Sequence, residues 1–290
     1  MVGLAHINSP AQIKKIMAEN DLIFHKGLGQ NFLFDEHYLN AIVDSGDITE
    51  NDTVIEIGPG LGVLTTRIAQ KAKKVYAIEI DSKIADVLEK LTCAYDNIEV
   101  INQDVLKFDL NKITQKHASV KIIANLPYYI TTPIVMKILE QTSNIKTIVI
   151  MIQKEVAQRL TAHANSKDYG AITLAVQYHA DAEIKFTVPA GAFIPAPKVE
   201  SAVVRLNVLS RKRVDVFDEK LFFKIIKSAF GQRRKTLINA ISNNCPDLTK
   251  ESIKAALKEL NINENIRGEA LDINEFSRIC NFFEKNKGKM

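Results

Sequence analysis

Two rhythms of apolar spacing succeed one another along the chain. Between residues 53 and 152, short β-branched runs alternate with stretches whose apolar side chains recur every three or four positions. Residues 53–57, 74–80, 98–104, 120–124 and 145–152 are expected to form strands, and 61–71, 82–91, 132–141 and 154–160 helices. Upstream, Ser9-Pro10 followed by Ile13, Ile16 and Met17 predicts a short helix capped by Ser9, with Pro10 in its first turn. Residues 36–45 predict another helix, and 165–170 a polar loop. After the basic run Arg211-Lys212-Arg213, expected as a linker, only the helical spacing remains. It is carried by Leu221, Phe222, Ile225 and Ile226, then Leu237, Ile238 and Ile241, then Ile253, Ala256 and Leu257, then Phe276, Ile279 and Phe283. The expected organisation is an arm (1–25), an α/β domain with a parallel sheet (26–207) and a small all-helical domain of four short helices (208–290).

Composition narrows this picture. At 290 residues and 46% hydrophobic content the chain can bury a full core, which excludes disordered and fibrous classes. No apolar run approaches a membrane span and the first residues lack an export pattern, so a cytoplasmic location is expected, with a monomer as the default state. Cys93, Cys245 and Cys280 are scattered without metal-ligand spacing; reduced thiols and no metal site are expected. The formal charge of +4 is unevenly shared: residues 208–290 hold 17 Lys and Arg against 11 Asp and Glu. A basic helical domain beside a near-neutral larger one points to a polyanionic partner such as nucleic acid.

The chemistry gathers where the strands should end. The first expected strand runs into Gly58-Pro59-Gly60-Leu61-Gly62 and then a helix, the opening of a nucleotide-binding βαβ unit. The second and third glycines lie closer than in the dinucleotide fingerprint, which favours an adenosine-bearing ligand without a pyrophosphate. Glu79 closes the second strand, where a carboxylate can accept ribose hydroxyls. Asp104 follows the third and can accept from an adenine amino group. The fourth strand delivers Asn125-Leu126-Pro127-Tyr128. An Asn side-chain oxygen and the Leu126 carbonyl make two acceptors for the two hydrogens of an amino group, beside a Tyr face on which a base can stack. Phe193 sits in a stretch stiffened by Pro195 and Pro197, and Lys26-Gly27-Leu28-Gly29-Gln30-Asn31-Phe32-Leu33 reads as a loop whose backbone approaches a ligand.

With these motifs the chain resembles the S-adenosylmethionine-dependent methyltransferases, and more narrowly the ribosomal RNA adenine N6-dimethyltransferase family. The resemblance is carried by residues 27–33, 56–62, Glu79, Asp104 and 125–128. It continues through 153–160, 193–203 and Phe230-Gly231-Gln232-Arg233-Arg234-Lys235-Thr236. It implies a Rossmann-like α/β methyltransferase sheet with a C-terminal helical domain. S-adenosylmethionine would be held by Gln30, Asn31, Leu33, Gly58, Gly60, Glu79, Asp104 and Asn125. Asn125, Leu126, Pro127 and Tyr128 would hold an extruded adenine, with Phe193 against its other face. From their charge alone, Arg233, Arg234 and Lys235 suit a ribose-phosphate groove, and Lys154 and Arg159 are candidates to meet phosphates or form a solvated helix face. The implied reaction is dimethylation of two adjacent adenosines near the 3′ end of small-subunit (16S) ribosomal RNA during subunit maturation. It needs neither a covalent intermediate nor a strong general base. A large-subunit (23S) adenine methyltransferase of the antibiotic-resistance type and a non-catalytic assembly factor are the competing expectations. A dinucleotide oxidoreductase is disfavoured by the glycine spacing.

Overall fold

The computed structural model describes residues 7, 9–23, 29–141 and 144–286; Lys26, Gly27 and Leu28 of the expected ligand loop, and part of the expected 1–25 arm, lie outside them. The chain divides into two compact units, Met1–Ala157 with Ala182–Val208, and Gln158–Asp181 with Leu209–Met290.

The first unit opens with helix α1 (Pro10–Glu19), where Ser9 Oγ accepts from the Gln12 N–H and Ile13 and Met17 form the buried face. Then come β1 (Phe32–Leu33), α2 (Glu36–Ser45), β2 (Thr53–Ile57), α3 (Val63–Ala69) and β3 (Lys74–Glu79). These are followed by α4 (Ser82–Thr92), β4 (Ile98–Asn102), α5 (Asn111–Thr114), β5 (Val120–Asn125), α6 (Thr131–Gln141), β6 (Ile145–Gln153) and α7 (Lys154–Leu160). Asp81, rather than the strand-ending Glu79, caps α4: its carboxylate accepts from the Lys83 and Ile84 N–H groups. The helix expected from 61 starts at Val63, because Gly62 adopts a left-handed conformation and turns the chain first.

After α8 (Ala171–His179) the chain adds β7 (Ala180–Val188), β8 (Phe193–Ile194) and β9 (Ser201–Val208). Seven strands form one sheet in the order β4-β3-β2-β5-β6-β9-β7. Strands β4 through β6 pair in parallel, and β9 runs antiparallel to β6. The side chains of β2 are buried along its whole length, as a strand covered on both faces requires. A separate two-stranded ladder joins Leu33 to Phe193 and Phe32 to Ile194.

The second unit holds α9 (Glu219–Gly231), α10 (Leu237–Asn244), α11 (Lys250–Glu259) and α12 (Ile273–Lys285). It also takes residues 158–181, which the spacing alone assigned to the larger domain. Tyr169, Leu174 and Tyr178 are buried in one cluster with Phe222, Ile225 and Phe276. The expected polar loop therefore carries a core residue, and Tyr169 donates its hydroxyl to Leu271 O at 2.9 Å. The basic run at 211–213 is anchored as well: Arg213 Nε donates to Gln177 O at 2.7 Å, and its guanidinium pairs with Asp181.

At the amino ends of β2 and β5 lies a buried ion pair, Asp52 with Lys121 at 2.9 Å, their side chains 5% and 10% exposed. Burial alone would raise the Asp52 pKa. The Ser119 hydroxyl, the Lys121 ammonium and the Thr49 N–H and hydroxyl outweigh it, and the carboxyl is held down at about 2. A carboxylate depressed in the folded state stabilises above its unfolded pKa near 3.8, and that stability is lost as pH falls towards 2. On the order of 2 kcal/mol is expected to disappear over this range from Asp52. Urea unfolding at stepped pH should show Asp52→Asn less stable than the parent at pH 7 and without this share of the acid sensitivity.

Candidate active site

In chain order the sheet grows outward from β2 through β3 to β4, then returns to the other side of β2 with β5 and β6. The reversal leaves a crevice at the carboxyl ends of β2 and β5, the place where open parallel sheets bind ligands. There the structure has a cleft that is partly open to solvent. Gln30, Asn31, Leu33, Gly58, Gly60, Glu79, Asp104 and Asn125, together with Leu126, Pro127 and Tyr128, all line it.

The glycine turn after β2 forms the floor. Gly60 has φ +57, and a Cβ on it would lie 2.7 Å from Phe32 Cε1. The Phe32 ring thus rests on bare backbone, which joins the 29–33 loop to the turn. Across the cleft, Asn125 Nδ2 donates to Asn31 O at 3.0 Å. That bond fixes which way the amide lies and keeps Oδ1 as an acceptor. Leu126 is buried, its N–H given to Met151 O, and Pro127 O accepts from the Ile130 N–H and the Thr131 hydroxyl. The tetrapeptide so ends β5 and starts a short 3-10 turn, Tyr128–Ile130. The Tyr128 hydroxyl shares a 2.5 Å hydrogen bond with Ser201 Oγ, and burial raises its pKa, which that bond partly offsets.

Three acids face the cleft. Glu79 is buried; its carboxylate accepts from the Gly60 N–H at 3.2 Å and the Asp81 N–H at 3.0 Å. Burial still wins over these bonds and raises its pKa. Asp104 is half-buried and accepts from the Leu106 N–H at 2.9 Å. The third, Glu56, was not singled out by the sequence. It is 2% exposed, lines the cleft and leaves Oε2 without a hydrogen-bond partner among the described residues. Burial pushes its pKa up to about 8; the Thr65 hydroxyl lowers it somewhat without completing a hydrogen bond, and the Glu79 charge raises it. The available signal was a charged residue inside an otherwise apolar strand, Ile55-Glu56-Ile57. An orphaned carboxyl oxygen, a second carboxylate and a glycine-rich turn fit a ligand with hydroxyl and ammonium donors, such as the ribose and amino-acid ends of S-adenosylmethionine.

Other predicted residues fall elsewhere. Phe193 does not line the cleft: it is 3% exposed and packed in the core beside Leu33, so in this structure it offers no open face to a base. Lys154 pairs with Glu200 at 2.8 Å. Arg233 donates to the carbonyls of Lys167 and Tyr169 at 3.0 Å and faces Glu269, so its guanidinium braces the second unit. Arg159, Arg234 and Lys235 are exposed. Among the described residues no group of three or more His, Cys, Asp or Glu could hold a metal ion, and no helix is long and apolar enough to cross a membrane.

A sheet that reverses direction over a cleft lined by acids and a strand-end amide defines a Rossmann-like α/β methyltransferase. Comparison with known proteins makes the assignment narrower. The family model described as ribosomal RNA adenine dimethylase matches residues 22–285, and the chain belongs to that family. It is 48% identical over 96% of its length to the Ribosomal RNA small subunit methyltransferase A of Alkaliphilus oremlandii (strain OhILAs), covering 98% of that protein. It is 50% identical over 94% of its length to the protein of the same name from Alkaliphilus metalliredigens (strain QYMF), covering 96% of it. Among solved structures, it resembles a dimethyladenosine transferase from Plasmodium falciparum with a TM-score of 0.76 and 28% identity, over 88% of this chain and 98% of that one. The 23S rRNA methyltransferase ErmE gives 0.67 and 25%, over 86% and 98%.

A carboxyl group whose folded pKa is raised costs stability as pH climbs from its unfolded value near 4.5 towards 8, because the folded chain then resists losing the proton. For the ligand-free protein, Glu56→Gln is therefore expected to stabilise at pH 7 by on the order of 3 kcal/mol. The advantage should vanish near pH 4.5, as measured by denaturant unfolding at both pH values.

Proposed function

We propose that this protein transfers methyl groups from S-adenosylmethionine to N6 of two adjacent adenosines near the 3′ end of small-subunit ribosomal RNA, giving N6,N6-dimethyladenosine during subunit maturation. S-adenosylmethionine, when bound, supplies an electrophilic sulfonium methyl. Glu79 would hold its ribose, Asp104 its adenine amino group and Glu56 its ammonium end, with the 58–62 turn beneath and Asn31 and Leu33 at the side. The observation that carries the reading is the Asn125 amide, tied through Nδ2 to Asn31 O in the same cleft as the acids.

The adenine amine is a weak nucleophile because its lone pair is delocalised into the ring. Asn125 Oδ1 and the Leu126 carbonyl would each accept one of its hydrogens, encourage a pyramidal nitrogen whose lone pair is withdrawn from conjugation, and aim that lone pair along the cleft. Tyr128, steadied by Ser201, would stack on the base. Positioning and preset dipoles supply the rate. Attack makes the nitrogen cationic, so its proton leaves readily afterwards. Relatives named for the small subunit, at 43–50% identity over nearly the whole chain, favour this reading over a large-subunit one. The protein would work as a monomer in the cytoplasm.

Methyl incorporation into small subunits from cells lacking the protein tests the proposal. Asn125→Ala should abolish transfer while leaving RNA affinity within about threefold; near-normal turnover would refute the assigned role. The charge-bearing residues should separate in the same assay. Joint replacement of Arg234 and Lys235 by Glu is expected to weaken RNA binding and flatten its salt dependence by about one to two units of slope. Arg233→Ala should lower thermal stability instead.

A further inference from the structure

One aromatic at the mouth of the cleft has no role so far. Tyr129 lines it, is 55% exposed, and makes no side-chain hydrogen bond among the described residues. It follows Tyr128 directly on the 3-10 turn Tyr128–Ile130. Such a turn has three residues per revolution, so neighbouring side chains leave it in different directions. Tyr128 is committed to Ser201 at 2.5 Å and half-buried. Tyr129 consequently faces another way.

What supports its ring is Gly29, at φ +62. A Cβ there would come within 3.3 Å of Tyr129 Cδ1 and 3.5 Å of its Cε1 and of Pro127 Cβ. One edge of the ring therefore lies on bare backbone two residues before Asn31, the residue that holds the Asn125 amide. The rest of the ring remains open to solvent. Phe193 is buried and Tyr128 is tied down, so Tyr129 is the most exposed aromatic plane lining the cleft among the described residues. A large flat side chain steadied on one edge, placed beside the residues that would grip one base, is suited to receive the next base by stacking.

We propose that Tyr129 stacks on the nucleobase flanking the extruded adenine and so determines how the RNA strand is seated at the cleft mouth. This rests on the adenine-methylation reading above. The test compares Tyr129→Ala and Tyr129→Phe with the unsubstituted protein in steady-state methyl transfer to unmethylated small subunits, alongside calorimetric binding of S-adenosylmethionine. Loss of one base–aromatic stack should raise the KM for subunits roughly five- to a hundredfold in Tyr129→Ala. The loss should fall on KM rather than kcat, Phe should restore the parent value, and cofactor affinity should hold throughout. A KM within about twofold of the parent overturns the proposal, as do Phe failing to restore it and cofactor affinity falling in step. If the unsubstituted protein transfers no methyl at all, the methylation reading falls and takes this inference with it. That failure is distinct from an active parent with an indifferent Tyr129→Ala.

Discussion

The hydrogen bond from Asn125 Nδ2 to Asn31 O spans 94 residues of sequence and joins the end of β5 to a loop that precedes the whole sheet. Its own contribution to stability is about 1 kcal/mol. Its consequence for geometry is larger, because it turns a side chain that can point either way into an acceptor of fixed orientation. The loop is held independently at three further points: Phe32 on Gly60, Leu33 in register with Phe193, and the Phe34 N–H on Ala192 O at 3.1 Å. Phe193 thereby gains a physical role that its burial permits, as part of the wall that keeps Asn31 in place.

Burial acts on the acids of this unit in opposite ways according to who their partners are. Asp52 is surrounded by an ammonium, two hydroxyls and an N–H, and stays charged to low pH. Glu79 receives two N–H groups, too few to offset its desolvation, and Glu56 receives none at Oε2. The strand-start acid is therefore complete within the protein, whereas the acids at the strand ends are left short of donors. A polar group buried without its partners costs roughly 1–3 kcal/mol, which a ligand carrying donors recovers on binding. Stability is concentrated at one edge of the sheet and binding capacity at the other.

How much of this was readable from the sequence follows the same division. Strand β2 and helix α2 fall where the spacing put them, since a run buried on both faces and a capped amphipathic stretch are local signals. The strand-end residues were legible because parallel topology places every carboxyl end on one edge. Contacts distant in sequence were not. Tyr169 sits in a polar stretch, and its burial among distant apolar residues and its hydroxyl bond to Leu271, 102 residues on, make it core of the second unit. Arg233 looks the same as Arg234 in sequence, yet two backbone carbonyls claim it. Composition cannot tell a brace from a free cation.

The acceptors assigned to the target amine are both neutral, and dimethylation makes this choice consequential. On the proposed roles, an unmethylated amine would bring two N–H groups to Asn125 Oδ1 and the Leu126 carbonyl; after one transfer a single N–H would remain, and one acceptor would face a methyl. Were that acceptor a carboxylate, the second round would bury an unpaired charge, a cost of several kcal/mol. An idle amide or peptide oxygen costs about 1–3 kcal/mol. A site built from an Asn side chain and a peptide carbonyl would thus penalise the singly methylated base less than one built from a carboxylate. The buried acids meanwhile lie on β2 and β3, whereas the two assigned acceptors sit at the end of β5.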